Sequence, residues 1–190
     1  MLEQLLQYDT ELFVYLNALG SESWDGLWLI ITNKWSFVPL YTILLFLIYK
    51  KIGLKPMLIM IVIIVLMITF TDQITNVVKR SVLRFRPCAC DEIKETIRFI
   101  ADYCSTNRSF FSGHASNSMA AAVFGGLVLR PYFKNLIFLL LFWSFLVAYS
   151  RIYVGVHFPL DIFCGMSFGA LSGVLFYKIN KKVQNRFISE

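Results

Sequence analysis

Towards its C-terminal end the chain reads Ser150-Arg151, five residues, His157, three residues and Asp161. These residue types suit phosphate chemistry. Arg151 can fork onto two phosphate oxygens, and His157 can attack phosphorus. Asp161, one helical turn further on, can hold one ring nitrogen protonated and leave the other free. Read structurally, the same residues are a histidine–carboxylate pair anchoring a helix start, with Pro159 in its first turn. The chain has only two histidines. The other, His114, lies in Ser112-Gly113-His114, where a hydroxyl, a flexible turn and free backbone N–H groups would open an apolar helix. His114 at that edge could protonate a leaving oxygen, or the segment could be an N-cap serine with an incidental histidine. Lys79 and Arg86 are seven residues apart, so a continuing helix would project both from one face until Pro87 stops it. Two such cations suit a phosphate dianion; a basic helix end with Arg80 and Arg84 resting on lipid headgroups also accounts for them.

The elements that must carry these groups are strongly apolar. The chain has 190 residues, of which 57% are hydrophobic and 16% charged. Its mean hydropathy is +0.64. Apolar stretches run 36–49, 57–71, 115–129, 135–149 and 162–177, with charges mostly between them. A bilayer core of about 30 Å needs roughly 20 helical residues. With their polar flanks, 25–50, 56–78, 114–130, 134–151 and 158–178 meet or approach that length. The composition leaves few polar faces for water, which argues against a soluble bundle. The expected fold class is therefore all-α: one integral membrane helical bundle over 1–190, with five spans. A break of 25–50 near Asn33–Pro39 would make six. Leucines at 2, 5, 6, 12, 16 and 19 recur at helical spacing, which predicts an interfacial helix over 1–20. Asp9 falls on its apolar side; two short helices with Asp9 capping the second are the alternative. No cleavable signal peptide is expected, since the first basic residue is Lys34.

Basic clusters at Lys50/Lys51/Lys55, Arg130/Lys134 and Lys178/Lys181/Lys182/Arg186 fall on one side of a five-span chain, which the positive-inside rule makes cytoplasmic. A raw tally divides the basic residues evenly, but Lys79, Arg86 and Arg151 belong to the candidate site. Every candidate residue then meets the outer face. Cys88, Cys90 and Cys104 lie in the expected outer loop 79–113, where Cys104 should pair with Cys88 or Cys90. A zinc site there would lack a histidine or fourth ligand. Asp72 and Asn76, inside the second span, share a face with Lys79. They could orient it, or form a structural interhelical hydrogen bond. Gly165, Gly169 and Gly173 favour close helix contact, within one chain or between chains.

Together, Lys79-x6-Arg86-Pro87, Ser112-Gly113-His114 and Ser150-Arg151-x5-His157-x3-Asp161 resemble the signatures of the type 2 phosphatidic acid phosphatases, a superfamily that includes acid phosphatases and vanadium haloperoxidases. The match covers 79–161 in motif order. The resemblance implies His157 as nucleophile, Asp161 as its partner and His114 as general acid, with Lys79, Arg86, Ser112, Gly113 and Arg151 binding phosphate. It implies no metal or other cofactor. One departure is visible: Phe111 stands where the middle signature usually begins with proline. The expected partners are a membrane lipid phosphate and the bilayer, with no nucleic acid. The expected activity is metal-independent hydrolysis of a phosphomonoester or diphosphate headgroup at the outer face of a bacterial inner membrane, through a phosphohistidine. Candidate headgroups are undecaprenyl diphosphate, a lipid A phosphate, phosphatidylglycerol phosphate and phosphatidic acid. A lipid phosphotransferase and a non-enzymatic membrane scaffold are the competing expectations.

Overall fold

In hydrocarbon every backbone N–H and C=O must find a partner within its own segment, which favours helices for stretches as apolar as these. A computed structural model describes residues 1–104 and 108–188, and among them only helices, turns and loops form. The expected outer loop, 79–113, includes 105–107, which lie outside the described residues. Four stretches are long and apolar enough to cross a membrane: Lys34–Ile52, Leu54–Ala89, Leu136–Tyr153 and Pro159–Phe187. The chain is thus a multi-pass membrane bundle.

Helix α1, Leu2–Ala18, is a single helix. It buries Asp9, Phe13 and Asn17, spaced four apart on one face, and leaves Leu2, Leu5 and Leu12 exposed. The polar residue that interrupts the leucine pattern therefore points inward, and it caps another helix rather than a second half of its own. Segment 25–50 is not one span. Helix α2, Glu22–Thr32, ends at Asn33, whose backbone is extended. The Asn33 Oδ1 accepts the Trp35 N–H (3.0 Å) and starts a tight turn, Lys34–Phe37. Helix α3, Val38–Ile52, follows with Pro39 in its first turn, where no amide partner is lost. The break falls where the six-span alternative put it, but α2 has 11 residues and stays at the site end of the bundle. Trp28 stacks there on Tyr153 of α6 (5.0 Å), and Asp25 accepts two bonds from Arg98 (3.0 and 2.9 Å).

Gly53, at φ 84, turns the chain into α4, Leu54–Val82. Helix α5, Gly113–Leu129, is the centre of the bundle, and α6, Leu136–Tyr153, and α7, Pro159–Ile188, complete it. At 17 residues α5 is the short element. Its small buried side chains, Ala115, Ser116 and Ala120 among them, let neighbours approach closely. The glycine row of α7 faces it. A Cβ at Gly169 would lie 3.0 Å from the Ser116 carbonyl carbon and Cα, and one at Gly173 would lie 2.9 Å from the Val123 Cβ. The row thus packs within the chain.

The ends of these helices set the site. The C-terminal ends of α4 and α6 and the N-terminal ends of α5 and α7 share one end of the bundle. The basic clusters close the opposite ends of α3, α6 and α7 and the start of α4.

Candidate active site

Helix α6 stops at Tyr153, and Gly155 takes φ 83, the left-handed region that glycine enters without strain. A Cβ there would also lie 2.8 Å from the Arg98 carbonyl oxygen. The turn folds back so that Val156 and His157 both donate their N–H to the Arg151 carbonyl (3.1 and 3.2 Å). Arg151 and His157 are thus fixed relative to each other by backbone bonds. Pro159 then opens α7, and Asp161 in its first turn reaches back. Its Oδ2 lies 3.3 Å from His157 Nδ1 and accepts the Phe158 N–H at 2.9 Å. The Ser109 hydroxyl donates to the same oxygen and lies 3.3 Å from Nδ1. With Nδ1–H given to the carboxylate, Nε2 is left with its lone pair free.

His157 is 2% exposed and sits in the loop between α6 and α7, outside the spans. Burial pushes its imidazole down from an ordinary 6.5 to about 4, opposed by Asp161 and assisted by the cations Arg151 and Arg86. The ring is therefore neutral at neutral pH. The other oxygen of Asp161, Oδ1, accepts from Arg84 Nη1 at 3.0 Å. Arg84 Nη2 is bonded to Asp9 Oδ2 at 2.5 Å, and Asp9 Oδ1 accepts the Leu160 N–H at 2.8 Å. Burial raises the Asp9 carboxyl above its ordinary value, against the pull of Arg84 and the Leu160 amide.

Lys79, Arg86, Gly113, His114, Arg151 and His157 all line one cavity of about 750 Å³. Lys79 and Arg86 do so by a different route from a shared helical face. Helix α4 ends at Val82, Leu83 adopts a left-handed conformation at φ 53, and Arg86 follows in extended chain. Arg151 donates to Thr32 Oγ1 (2.5 Å), which orients the guanidinium, and its buried Nε has no protein partner. Ser112 stands apart from the cavity lining. It is fully buried, its Oγ caps α5 by accepting the Ala115 N–H (3.4 Å), and its own N–H is given to the Asp161 carbonyl (3.0 Å). Its hydroxyl and amide thus serve the joint between α5 and α7. Asp161 likewise lies behind His157. Asp72 accepts from Asn117 (2.8 Å), which in turn accepts from Thr71 (2.6 Å), an interhelical bond between α4 and α5. Phe111, Tyr153 and Phe158 are buried in packing, with Phe111 against Phe168 at 5.3 Å.

Below the polar end, the cavity continues between α3, α4, α5 and α6 past Leu44, Ile48, Ile64 and Phe124. A polar mouth lined by Lys79, Arg86 and Arg151, with Lys34 also in the cavity lining, thus joins an apolar cleft. Cys88 and Cys104 form a disulfide, which places Tyr103 at the mouth beside Arg86 and leaves Cys90 free. Among the described residues no group of three His, Cys, Asp or Glu side chains gathers as a metal site. The residues that sequence reading passed over are Ser109, Arg84 as a carboxylate partner, Thr32 and Asp9. Only Asp9 left a signal, as the acid on an apolar face.

Known proteins resemble this chain over most of its length. The family model described as the PAP2 superfamily matches residues 57–185. A lipid A 4'-phosphatase of Bacteroides thetaiotaomicron is 32% identical over all of this chain and 84% of its own length. One from Porphyromonas gingivalis is 30% identical over 98% of this chain and 79% of its own length. The crystal structure of Aquifex aeolicus LpxE superposes with a TM-score of 0.67 at 27% identity, covering 88% of this chain and 93% of that one. A PAP2-type phosphatidylglycerolphosphate phosphatase from Bacillus subtilis superposes at 0.74 with 20% identity, covering 95% and 88%, and shows the shared fold. With helices, motif order and relatives in agreement, the chain belongs to the PAP2 superfamily, as a membrane lipid phosphatase of that type.

Proposed function

We propose that the chain removes the 4'-phosphate of lipid A, at the outer leaflet of a bacterial inner membrane, as a single domain spanning 1–190. The observation that carries this reading is the cavity itself. It sets a neutral, carboxylate-backed His157 among Lys79, Arg86 and Arg151 and runs on into an apolar cleft fit for acyl chains. The substrate is drawn from the relatives, both named lipid A 4'-phosphatase and aligned over nearly the whole chain. The basic clusters at the far end support an outward-facing site.

In this mechanism His157 Nε2 attacks phosphorus in line with the ester oxygen, so the N–P bond forms as the P–O bond breaks. Asp161 keeps the Nδ1 proton and stabilises the charge that develops on the ring. Lys79, Arg86 and Arg151 neutralise the equatorial oxygens, where charge collects in the transition state. The free amides of Gly113 and His114 at the start of α5 add a dipole of the same sign. Once the bound phosphate dianion favours its charged form, His114 gives a proton to the departing sugar oxygen. It then takes one from the water that attacks the phosphohistidine, releasing phosphate and restoring His157.

The test is phosphate release by purified protein against lipid A, undecaprenyl diphosphate, phosphatidylglycerol phosphate and phosphatidic acid. Lipid A should turn over fastest and lose only its 4'-phosphate. His157→Ala should lose at least about a thousandfold in kcat while staying folded. Faster turnover of another headgroup would overturn the substrate, and an active His157→Ala would overturn the nucleophile.

A further inference from the structure

We propose that Asp9, on the N-terminal helix and outside the residues the family model matches, is a positioning residue that acts on His157 through Arg84 and Asp161. The inference rests on the reading of His157 as nucleophile. Asp161 can fix the histidine only while its own carboxylate is fixed. Its Oδ2 is shared by His157 Nδ1, the Ser109 hydroxyl and the Phe158 N–H. Its Oδ1 is held by Arg84 Nη1 at 3.0 Å. A guanidinium gripping a carboxylate through a single N–H can pivot about that bond, and Arg84 is stopped from doing so at its other end. Its Nη2 meets Asp9 Oδ2 at 2.5 Å, and the second oxygen of Asp9 is anchored by the Leu160 N–H at 2.8 Å. The guanidinium carbon also lies over the Phe158 ring, 4.0 Å from its centroid.

Asp9 also sets how much charge reaches Asp161. Arg84 is 15% exposed, and the Asp9 and Asp161 side chains are 2% and 0% exposed, so water screens little. A cation shared by two carboxylates withdraws less from each than one bound to a single carboxylate. Asp161 thereby keeps its acceptor strength for the imidazole N–H. Asp9 in addition holds Arg84 behind the histidine, away from Lys79, Arg86 and Arg151 in the cavity lining. A residue whose only task was to dock α1 would not need to meet Arg84, the arginine bonded to Asp161.

Two readouts test this, one of them independent of turnover. In a His114→Ala background His157 is the sole histidine, so nitrogen NMR of histidine-labelled protein in detergent reports its tautomer alone. With Asp9 intact the ring should be protonated on Nδ1. Asp9→Asn should give a mixture of tautomers, and an unchanged Nδ1–H form would overturn the proposal. With His114 present, Asp9→Asn should lower kcat about tenfold and leave KM within about twofold. On an Asp161→Asn background, Asp9→Asn should cost less than about twofold further; a full tenfold loss there would mean a general structural defect and overturn the coupling. Arg84→Lys keeps the charge but loses the fork, and should show the same kcat loss. If Asp9→Asn fails to fold and Arg84→Lys is fully active, Asp9 only docks the helix. A wild-type protein that releases no phosphate from any lipid tested would refute the proposed function. The tautomer measurement would still decide the role of Asp9.

Discussion

The neutral imidazole at 157 follows from its surroundings, and the same burial makes it a weak point in acid. A histidine held at about 4 when folded, against 6.5 when unfolded, takes up its proton more readily in the unfolded chain. The native state is then fully stable, in this respect, above pH 6.5, and loses stability as pH falls from 6.5 towards 4. The loss is about 3 kcal/mol. Thermal melts of wild type and His157→Asn in detergent across pH 7.5 to 4 should therefore converge, with wild type losing up to about 3 kcal/mol more than the variant. Parallel losses would show that His157 protonates freely in the fold. At this scale the motif residues were legible because each motif is local: Ser150 to Asp161 fits in one turn and one helix start. Ser109 and Arg84 were not. They reach Asp161 across 52 and 77 positions, and Arg84 reaches Asp9 across 75. Contacts at that range leave no periodicity in the sequence. At Ser112 the cap on α5 has the same local signature as a phosphate-binding hydroxyl, so the sequence alone does not separate the two roles.

Among the elements, apolar runs and flanking charges placed α4, α5, α6 and the start of α7 to within a few residues, because span length is fixed by bilayer thickness, whereas α7 runs on to Ile188, well past the expected 178. The breaks were harder to read. Helix α4 stops at Leu83 in a left-handed turn, a conformation that a non-glycine residue adopts only when its surroundings impose it. Pro87, four residues later, gave the visible stop signal in the wrong place. At Asn33 the side chain bonds the backbone two residues on, and an apolar window smooths over such a single polar residue. The glycine row was legible as a contact, but only the packed helices show that α5 is its partner. That contact also fixes the site, because α5 carries His114 and α7 carries Asp161 at the same end. Gly169→Leu would place its side chain against the Ser116 backbone, which cannot give as a flexible side chain can. The expected result is a destabilisation of roughly 1–3 kcal/mol, measured by melting in detergent, together with reduced phosphate release. A variant that melts with wild type would mean that α5 and α7 part at no cost.

For the whole molecule, the part outside the family match is as integral as the part inside it. The match begins at residue 57, yet α3 forms one wall of the cavity, Thr32 orients Arg151, and Asn17 of α1 donates to the carbonyls of Arg98, Ile152 and Tyr153. Truncation to the matched residues would strip the cleft of its side wall. The disulfide acts on the same face: Cys88 and Cys104 tie the loop that carries Arg86 and Tyr103, a constraint that suits an oxidising exterior. Charge gives the independent indication of direction. Lys50, Lys51, Lys55, Arg130, Lys134, Lys181 and Lys182 sit at helix ends remote from the cavity mouth, which under the positive-inside rule supports the proposed outward-facing site. Free Cys90, half-buried in the loop at the site end, makes the orientation measurable without new labels there. In intact spheroplasts a membrane-impermeant maleimide should modify Cys90. A cysteine introduced by Lys182→Cys, on a Cys90→Ser and Cys164→Ser background, should react only after the membrane is opened. The reverse pattern would turn the site towards the cytoplasm and remove the outer leaflet as its source of substrate.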